Sequence, residues 1–223
     1  MSLAPYYSHA GIAIYHGDCR EVLPTLADES IDLVLTDPPY GISHPCDYAD
    51  RGRAVLAQAK NYPQVHGDDE PFDPRWLLEL GKAHILFGAN YFANLLPPIP
   101  GWLVWDKLRP DELDQATCEL AWTDCVKGVR RFRYLWHGML RDGDDELRHP
   151  TQKPVALMQW CMGLRWTKDF QNILDPFCGS GTTLVAAKLL GRKAIGCEIE
   201  ERYCEIAAKR LSQEVFDFQE ALA

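Results

Sequence analysis

The stretch from Asn172 to Glu198 constrains the fold of this 223-residue chain more than any other. Asn172-Ile173-Leu174-Asp175 is an apolar run of strand length, and Pro176-Phe177-Cys178-Gly179-Ser180-Gly181-Thr182-Thr183 is a glycine-rich turn. Leu184 to Leu190 then reads as a helix that stops at Gly191, and a second strand, Lys193 to Cys197, ends in Glu198. Gly179 and Gly181 lack a Cβ, so the backbone there can approach a ligand closely while the N–H groups opening the helix face it. In a dinucleotide fingerprint the third glycine would fall at position 184, which is Leu184, and this weakens a nicotinamide reading. Glu198 lies about 20 residues past the glycines, the spacing of a carboxylate that accepts both ribose hydroxyls. Without that spacing it would read as a solvated loop residue.

A second strand-and-turn unit occurs early in the chain. Ile31-Asp32-Leu33-Val34-Leu35-Thr36 has strand length and apolar content, and Asp37-Pro38-Pro39-Tyr40 follows it directly. The tetrapeptide therefore rides at a strand's C-terminal end, the edge at which open α/β sheets bind ligands. Each proline fixes its own φ and pushes the preceding residue to extended backbone, so Asp37, Pro38 and Pro39 form a stiff arm with Tyr40 at its tip. The prolines remove two donors and keep their carbonyls. The arm thus presents acceptors, the Asp37 carboxylate and the Pro38 C=O, suited to a substrate –NH2 group, while Tyr40 can stack on a flat ring. A proline-rich turn closing a buried strand is the alternative.

Together the two units resemble the S-adenosylmethionine-dependent amino-methyltransferases of DNA. Asp37-Pro38-Pro39-Tyr40 matches the family's catalytic tetrapeptide, and Phe177-Cys178-Gly179-Ser180-Gly181 matches its cofactor motif. Because the catalytic motif precedes the cofactor motif, the order resembles the permuted, beta-group arrangement. The resemblance implies a Rossmann-like α/β fold with a mostly parallel sheet flanked by helices. It also implies methyl transfer from S-adenosylmethionine to the N6 amine of a flipped adenine in DNA. Asp37, Pro38, Pro39 and Tyr40 are the catalytic residues it implies. Its cofactor contacts are Asp18, Thr36, Lys153, Asp175, Pro176, Phe177, Gly179, Ser180, Gly181, Thr182 and Glu198. Asp18 follows Tyr15-His16-Gly17 and faces the cofactor's adenine in that family; it can equally cap the helix beginning near Cys19. Thr151, Gln152 and Lys153, in His149-Pro150-Thr151-Gln152-Lys153-Pro154, enter a helix and would meet the methionine carboxylate.

Relatives that methylate the N4 amine of cytosine in this order usually carry Ser where this chain has Asp37, which favours adenine. The alternatives are N4-cytosine transfer, or an RNA or protein-amide methyltransferase of the same fold. Amide-modifying relatives usually have Asn at that position. A catalytically idle DNA-binding protein is disfavoured because Asp37, Tyr40, Gly179, Gly181 and Glu198 are all present. Pro45-Cys46 matches the nucleophile pair of cytosine C5 enzymes, but their Glu-Asn-Val partner is missing, so Cys46 reads as a loop cysteine. Transfer to an amine requires no covalent step and no metal.

Net charge is −9, yet Lys127 to Arg141 holds Lys127, Arg130, Arg131, Arg133 and Arg141 without an acid, with Phe132, Tyr134 and Trp136 interleaved. That stretch is either a surface that neutralises phosphates and stacks bases or a solubilising edge strand, Arg131 to Leu140. Ala83 to Asn90 and Gly101 to Lys107 read as further strands of the same sheet, without decisive chemistry. With 47% hydrophobic residues the chain can bury one core, which predicts a single domain, 1–223, with loop insertions near 42–73 and 124–148. The segment from Ser43 to Asp73 has little periodicity and is expected to be a mobile loop beside the active site. No signal-peptide pattern or long apolar run is present, and the eight cysteines form no C-x-x-C pair. The expectation is a reduced, cytoplasmic protein of a bacterial or phage-infected cell, bound to no membrane, monomeric or homodimeric, with DNA as its partner and a place in restriction-modification.

Overall fold

A computed structural model describes residues 3–26, 31–43, 64–110, 116–137, 140–143 and 152–213. Most of the 43–73 segment, Cys46, and His149, Pro150 and Thr151 lie outside these residues. In chain order the strands and helices are β1 (Tyr7–His9), β2 (Ile12–His16), α1 (Cys19–Val22), β3 (Leu33–Thr36), β4 (His84–Phe87), β5 (Trp102–Asp106), β6 (Cys118–Thr123), β7 (Val129–Arg133), β8 (Trp136–His137), β9 (Leu140–Arg141), α2 (Val155–Gly163), β10 (Asn172–Asp175), α3 (Thr182–Leu189), β11 (Lys193–Glu198) and α4 (Glu201–Ser212).

Among the described residues nine strands form one sheet, ordered β1-β2-β11-β10-β3-β4-β6-β5-β7, and β8 pairs with β9 apart from it. Strands β2, β11, β10, β3 and β4 run parallel to one another. Strand β6 lies antiparallel between β4 and β5, and β7 returns parallel to β5. The expected mostly parallel α/β sheet is therefore present. The middles of its central strands, such as Leu33-Val34-Leu35, Ile85-Leu86-Phe87 and Ile173-Leu174, are apolar on both faces because both faces are covered. Leu33 and Leu35 point, with Ile85, Phe87 and Ile173, into a core shared with Leu157 and Met158 of α2 and Leu184 of α3. Val34, Leu86 and Leu174 point the other way, onto Phe72, Leu77, Phe92 and Leu96. That second layer is built from short 3₁₀ turns such as Arg75–Glu79 and Ala93–Leu95.

The basic stretch lies on the sheet's edge, and its aromatic residues are turned inward. The edge strand is Val129–Arg133, shorter than expected and followed by the β8-β9 hairpin. Along β7 exposure alternates, so Val129, Arg131 and Arg133 are outward while Phe132 packs on Trp160 with ring centroids 5.2 Å apart. Tyr134 stacks on Phe132 and donates its hydroxyl to Asp142 O, and Trp136 is a buried core residue. The expected base-stacking row of Phe132, Tyr134 and Trp136 is thus not presented outward: Phe132 and Tyr134 lie partly buried against the core and Trp136 lies within it.

Gly101, just before β5, sits where a Cβ would lie 2.0 Å from the Thr123 carbonyl oxygen and 2.7 Å from that of Val126. Both obstacles are backbone atoms and cannot rotate away. Gly101→Ala is therefore expected to destabilise the fold by about 1–3 kcal/mol or more, as overpacking against an unyielding wall does, measured as a lowered urea midpoint.

Candidate active site

The connection from β10 leads to β11 on one side, and that from β3 leads to β4 on the other, so the crevice between β10 and β3 is the sheet's switch point. Both sequence motifs open onto it. Thr36 ends β3 and donates its hydroxyl to Asp175 Oδ1 at 2.7 Å, joining the two strand ends inside the protein. Asp175 also accepts from the Phe177 amide at 3.2 Å, holding the first bend of the glycine turn. Burial pushes the Asp175 carboxyl up to about 6, against the hydrogen bonds from Thr183 and Thr36.

The turn itself is braced from below. Gly179 and Gly181 have φ of 51° and 78°. Gly181 approaches α4 so closely that a Cβ would meet Ala207 Cβ at 2.7 Å. Leu184, which stands where a dinucleotide fold would have its third glycine, is fully buried; the space it needs comes from Gly196 on β11, whose added Cβ would lie 2.7 Å from Leu184 Cδ1. Arg210 of α4 is buried beneath the turn and donates to Ser180 O at 2.7 Å, Ser180 Oγ at 3.2 Å and Thr182 Oγ1 at 3.2 Å. The Ser180 hydroxyl also meets Gln152 Oε1 at 3.2 Å. Sequence reading missed Arg210, because helical periodicity alone makes it an ordinary basic residue near a helix end.

Glu198 closes β11 and folds back over the turn. Its Oε2 accepts from Gly179 N at 2.9 Å and its Oε1 from Glu200 N at 2.8 Å. Burial raises its carboxyl above the usual range. Asp18 caps α1, accepting from Arg20 N at 2.8 Å, so one of its two expected roles is realised. Phe177 packs edge-on against Phe72 and Trp76. Near it, Cys19, Arg20, Leu23, Pro24, Asp73, Trp76 and Leu80 line a cavity of about 680 Å³.

On the other side of the crevice, the Asp37 arm is held from both ends. Asp68, buried, accepts at Oδ1 from the Tyr40 and Gly41 amides, each at 3.0 Å, and fixes the arm's tip. Tyr40 donates its hydroxyl to Asp37 Oδ1. Its ring stacks on Tyr91 at 5.1 Å, so the face expected to meet a flat substrate is shared with a second aromatic. Lys153, just before α2, donates to Asp37 Oδ2 and lies 3.1 Å from Glu119 Oε2. The sequence expectation aimed Lys153 at the cofactor's carboxylate; here its ammonium is engaged by two carboxylates of the chain. Glu119 in turn receives Lys107 Nζ at 2.5 Å. Burial drives the Asp37 carboxyl up despite Lys153. Burial would do the same to Glu119, but Lys153 and Lys107 take it down to about 2.

With this geometry established, the chain can be set beside known proteins. A family model described as DNA methylase, of the N6/N4 methyltransferase type, matches residues 58–209, and the chain belongs to that family. The type II methyltransferase M2.LlaDCHI of Lactococcus lactis subsp. cremoris is 28% identical over 249 residues, spanning 94% of this chain and 92% of that one. The crystal structure of the M1.HpyAVI-SAM complex has a TM-score of 0.54 at 24% identity, covering 90% of this chain and all of the other. The PvuII cytosine-N4-specific DNA methyltransferase has a TM-score of 0.62 at 16% identity, covering 98% of this chain and 92% of its own. These two structures share the fold.

The residues around the crevice also fit S-adenosylmethionine. Glu198 offers carboxylate oxygens at the glycine turn to a diol. Trp76 Nε1 is a buried donor without a hydrogen-bond partner among the described residues, beside that cavity, whose volume is in the range of small-molecule sites.

Because the Asp175 carboxyl is raised from 3.8 to about 6, the folded protein binds more protons than the unfolded chain between those values. The stability this gives is complete below about pH 4 and is lost as pH rises through about 6. Roughly two pKa units correspond to about 3 kcal/mol. In urea titrations from pH 4 to 7, the stability of wild type relative to Asp175→Asn is expected to fall by an amount of that order and then level off; a constant difference would contradict it.

Proposed function

We propose that this DNA methylase transfers the methyl group of S-adenosylmethionine to the exocyclic N6 amine of adenine in DNA, acting on a base flipped out of the duplex. The observation that carries this is the placement of Asp37 across the switch-point crevice from the glycine turn, with Thr36 and Asp175 tying the two sides together. Within the permuted order of the two motifs, the acid at position 37, where N4-cytosine relatives usually have Ser, supports adenine.

Asp175, Pro176, Phe177, Gly179, Ser180, Gly181 and Thr182 would shape the cofactor's cradle, Glu198 would hold its ribose, and Asp18 would meet its adenine side. Bound there, the cofactor supplies a sulfonium-activated methyl group. Flipping a base costs a few kcal/mol, and stacking on Tyr40 offsets part of this. Tyr91, which is half exposed and stacked on the Tyr40 ring, has to leave that face for the base to take it. The amine's lone pair is delocalised into its ring and is a poor nucleophile. Hydrogen bonds from its two N–H groups to Asp37 and the Pro38 carbonyl favour a pyramidal nitrogen with its lone pair directed at the methyl. Rate then comes from positioning and a dry, preorganised pocket, and the proton that leaves the nitrogen passes by Asp37 to solvent.

Lys127 and Arg131, both exposed near the sheet edge, are the basic residues best placed for phosphates. Arg133 is shared with Asp106 at 3.2 Å and Arg130 lies over the Trp166 ring, so these two serve the fold as well. We place the protein in a bacterial or phage-infected cell's cytoplasm, within a restriction-modification system.

Asp37→Ala is expected to lower transfer by about 10²–10³-fold or more, the effect of losing one preorganised acceptor, while cofactor affinity changes only a few fold. Radiolabel transfer to DNA from a methylation-deficient host, together with calorimetric titration of cofactor, measures both. Turnover at the wild-type rate would refute the assigned role. Nucleoside analysis of the product should show N6-methyladenine; N4-methylcytosine would move the specificity to the other amine. Glu198→Ala should weaken cofactor binding by about 1–3 kcal/mol, as charged hydrogen bonds to a diol do, with turnover substantially restored at saturating cofactor. Unchanged affinity would leave Glu198 only its bonds to Gly179 and Glu200.

A further inference from the structure

The arm that must receive the amine is already occupied. Asp37 Oδ1 accepts from Tyr40 and Oδ2 from Lys153, whose side chain is only 5% exposed. A buried ammonium cannot release one carboxylate unless another is within reach, because an unpaired charge in the interior is strongly disfavoured. Glu119 is that second carboxylate. Its Oε2 lies 3.1 Å from Lys153 Nζ, and its Oε1 is pinned by Lys107. Strand pairing sets this up. Glu119 stands opposite Trp105 near the start of antiparallel β6, which brings it to the edge where β3, β4 and β5 end.

We propose that Glu119 is a positioning residue for methyl transfer: as the amine arrives, the Lys153 ammonium shifts from Asp37 Oδ2 to Glu119 Oε2, freeing an Asp37 oxygen for the amine. No proton moves in this exchange and no bond is made or broken. The proposal rests on the reading that Asp37 receives the amine. Alternating charge along Asp37, Lys153, Glu119 and Lys107 makes the shift possible, since Lys153 has a carboxylate at either end of its path. Glu119 is held well below the usual carboxylate range, so it is anionic and able to take the ammonium. Among the described residues, the other ionisable groups facing the cluster are Tyr40 and Asp175 beside Asp37, Tyr91 beside Tyr40, and Arg109 beside Glu119.

The test compares wild type, Asp37→Ala, Glu119→Gln and the double variant Lys107→Met with Glu119→Gln. Substrate is unmethylated plasmid DNA, and cofactor affinity is measured separately. Glu119→Gln should lower kcat about tenfold or more, with cofactor affinity within about threefold. Removing the Glu119 charge should also move the acid limb of the kcat/KM profile to lower pH, because that charge raises the Asp37 carboxyl. The double variant leaves Lys153 paired with Asp37 in a neutral cluster, so it should fold even if Glu119→Gln does not, and it should be equally slow. Recovery of wild-type kcat in the double variant, or an unshifted pH profile with normal kcat in Glu119→Gln, overturns the proposal. Full activity of Asp37→Ala would instead remove the underlying reading. In a crystal structure of wild type with duplex DNA and demethylated cofactor, Lys153 Nζ should lie on Glu119, out of hydrogen-bond range of Asp37. An ammonium still on Asp37 with the base in place also overturns the exchange.

Discussion

The buried hydrogen bond from Thr36 to Asp175 is the contact on which the rest of the site depends. It links the last residue of β3, which carries the Asp37 arm, to the last residue of β10, which carries the glycine turn, where the sheet's connections diverge. Because Asp175 also holds the Phe177 amide, the same carboxylate sets the start of the glycine turn. Moving either strand end would displace both halves of the site. The two halves are thereby kept in register without depending on any loop.

The price of placing so much charge beside that crevice is that each charge needs a partner. The chain meets this with an alternating row, Lys107, Glu119, Lys153 and Asp37, rather than with isolated pairs. A row can redistribute its contacts when a substrate group enters, whereas an isolated buried pair can only break. The same economy appears under the glycine turn, where Arg210 uses one guanidinium nitrogen on the Ser180 carbonyl, the Ser180 hydroxyl and the Thr182 hydroxyl.

Much of the cofactor side was legible because its information is local. Gly179 and Gly181 occupy left-handed backbone, α3 starts at the turn and ends before Gly191, and Glu198 folds back onto Gly179. The Asp37 arm was legible for the same reason, since proline restricts the backbone wherever it occurs. The basic stretch was legible only as charge. Which of its neighbours point outward depended on strand register and packing, which laid the partly buried Phe132 and Tyr134 against the core and buried Trp136. Lys153 was found, but its partners were not, because they come from β3 and β6, far away in the chain.

By itself, the sequence determined the two strand-and-turn units, their permuted order and the chemical character of each, because glycine, proline and apolar runs act through the backbone of their own neighbours. Only the tertiary structure decided what stands beside them. Antiparallel β6 delivers Glu119 to the edge that bears the Asp37 arm, Asp68 returns to cap the arm, Tyr91 covers the Tyr40 ring, and Gly196 makes room for Leu184. Each of these contacts joins distant segments through sheet pairing or core packing, and neither residue spacing nor composition encodes which partner the folded chain will bring within 3 or 4 Å.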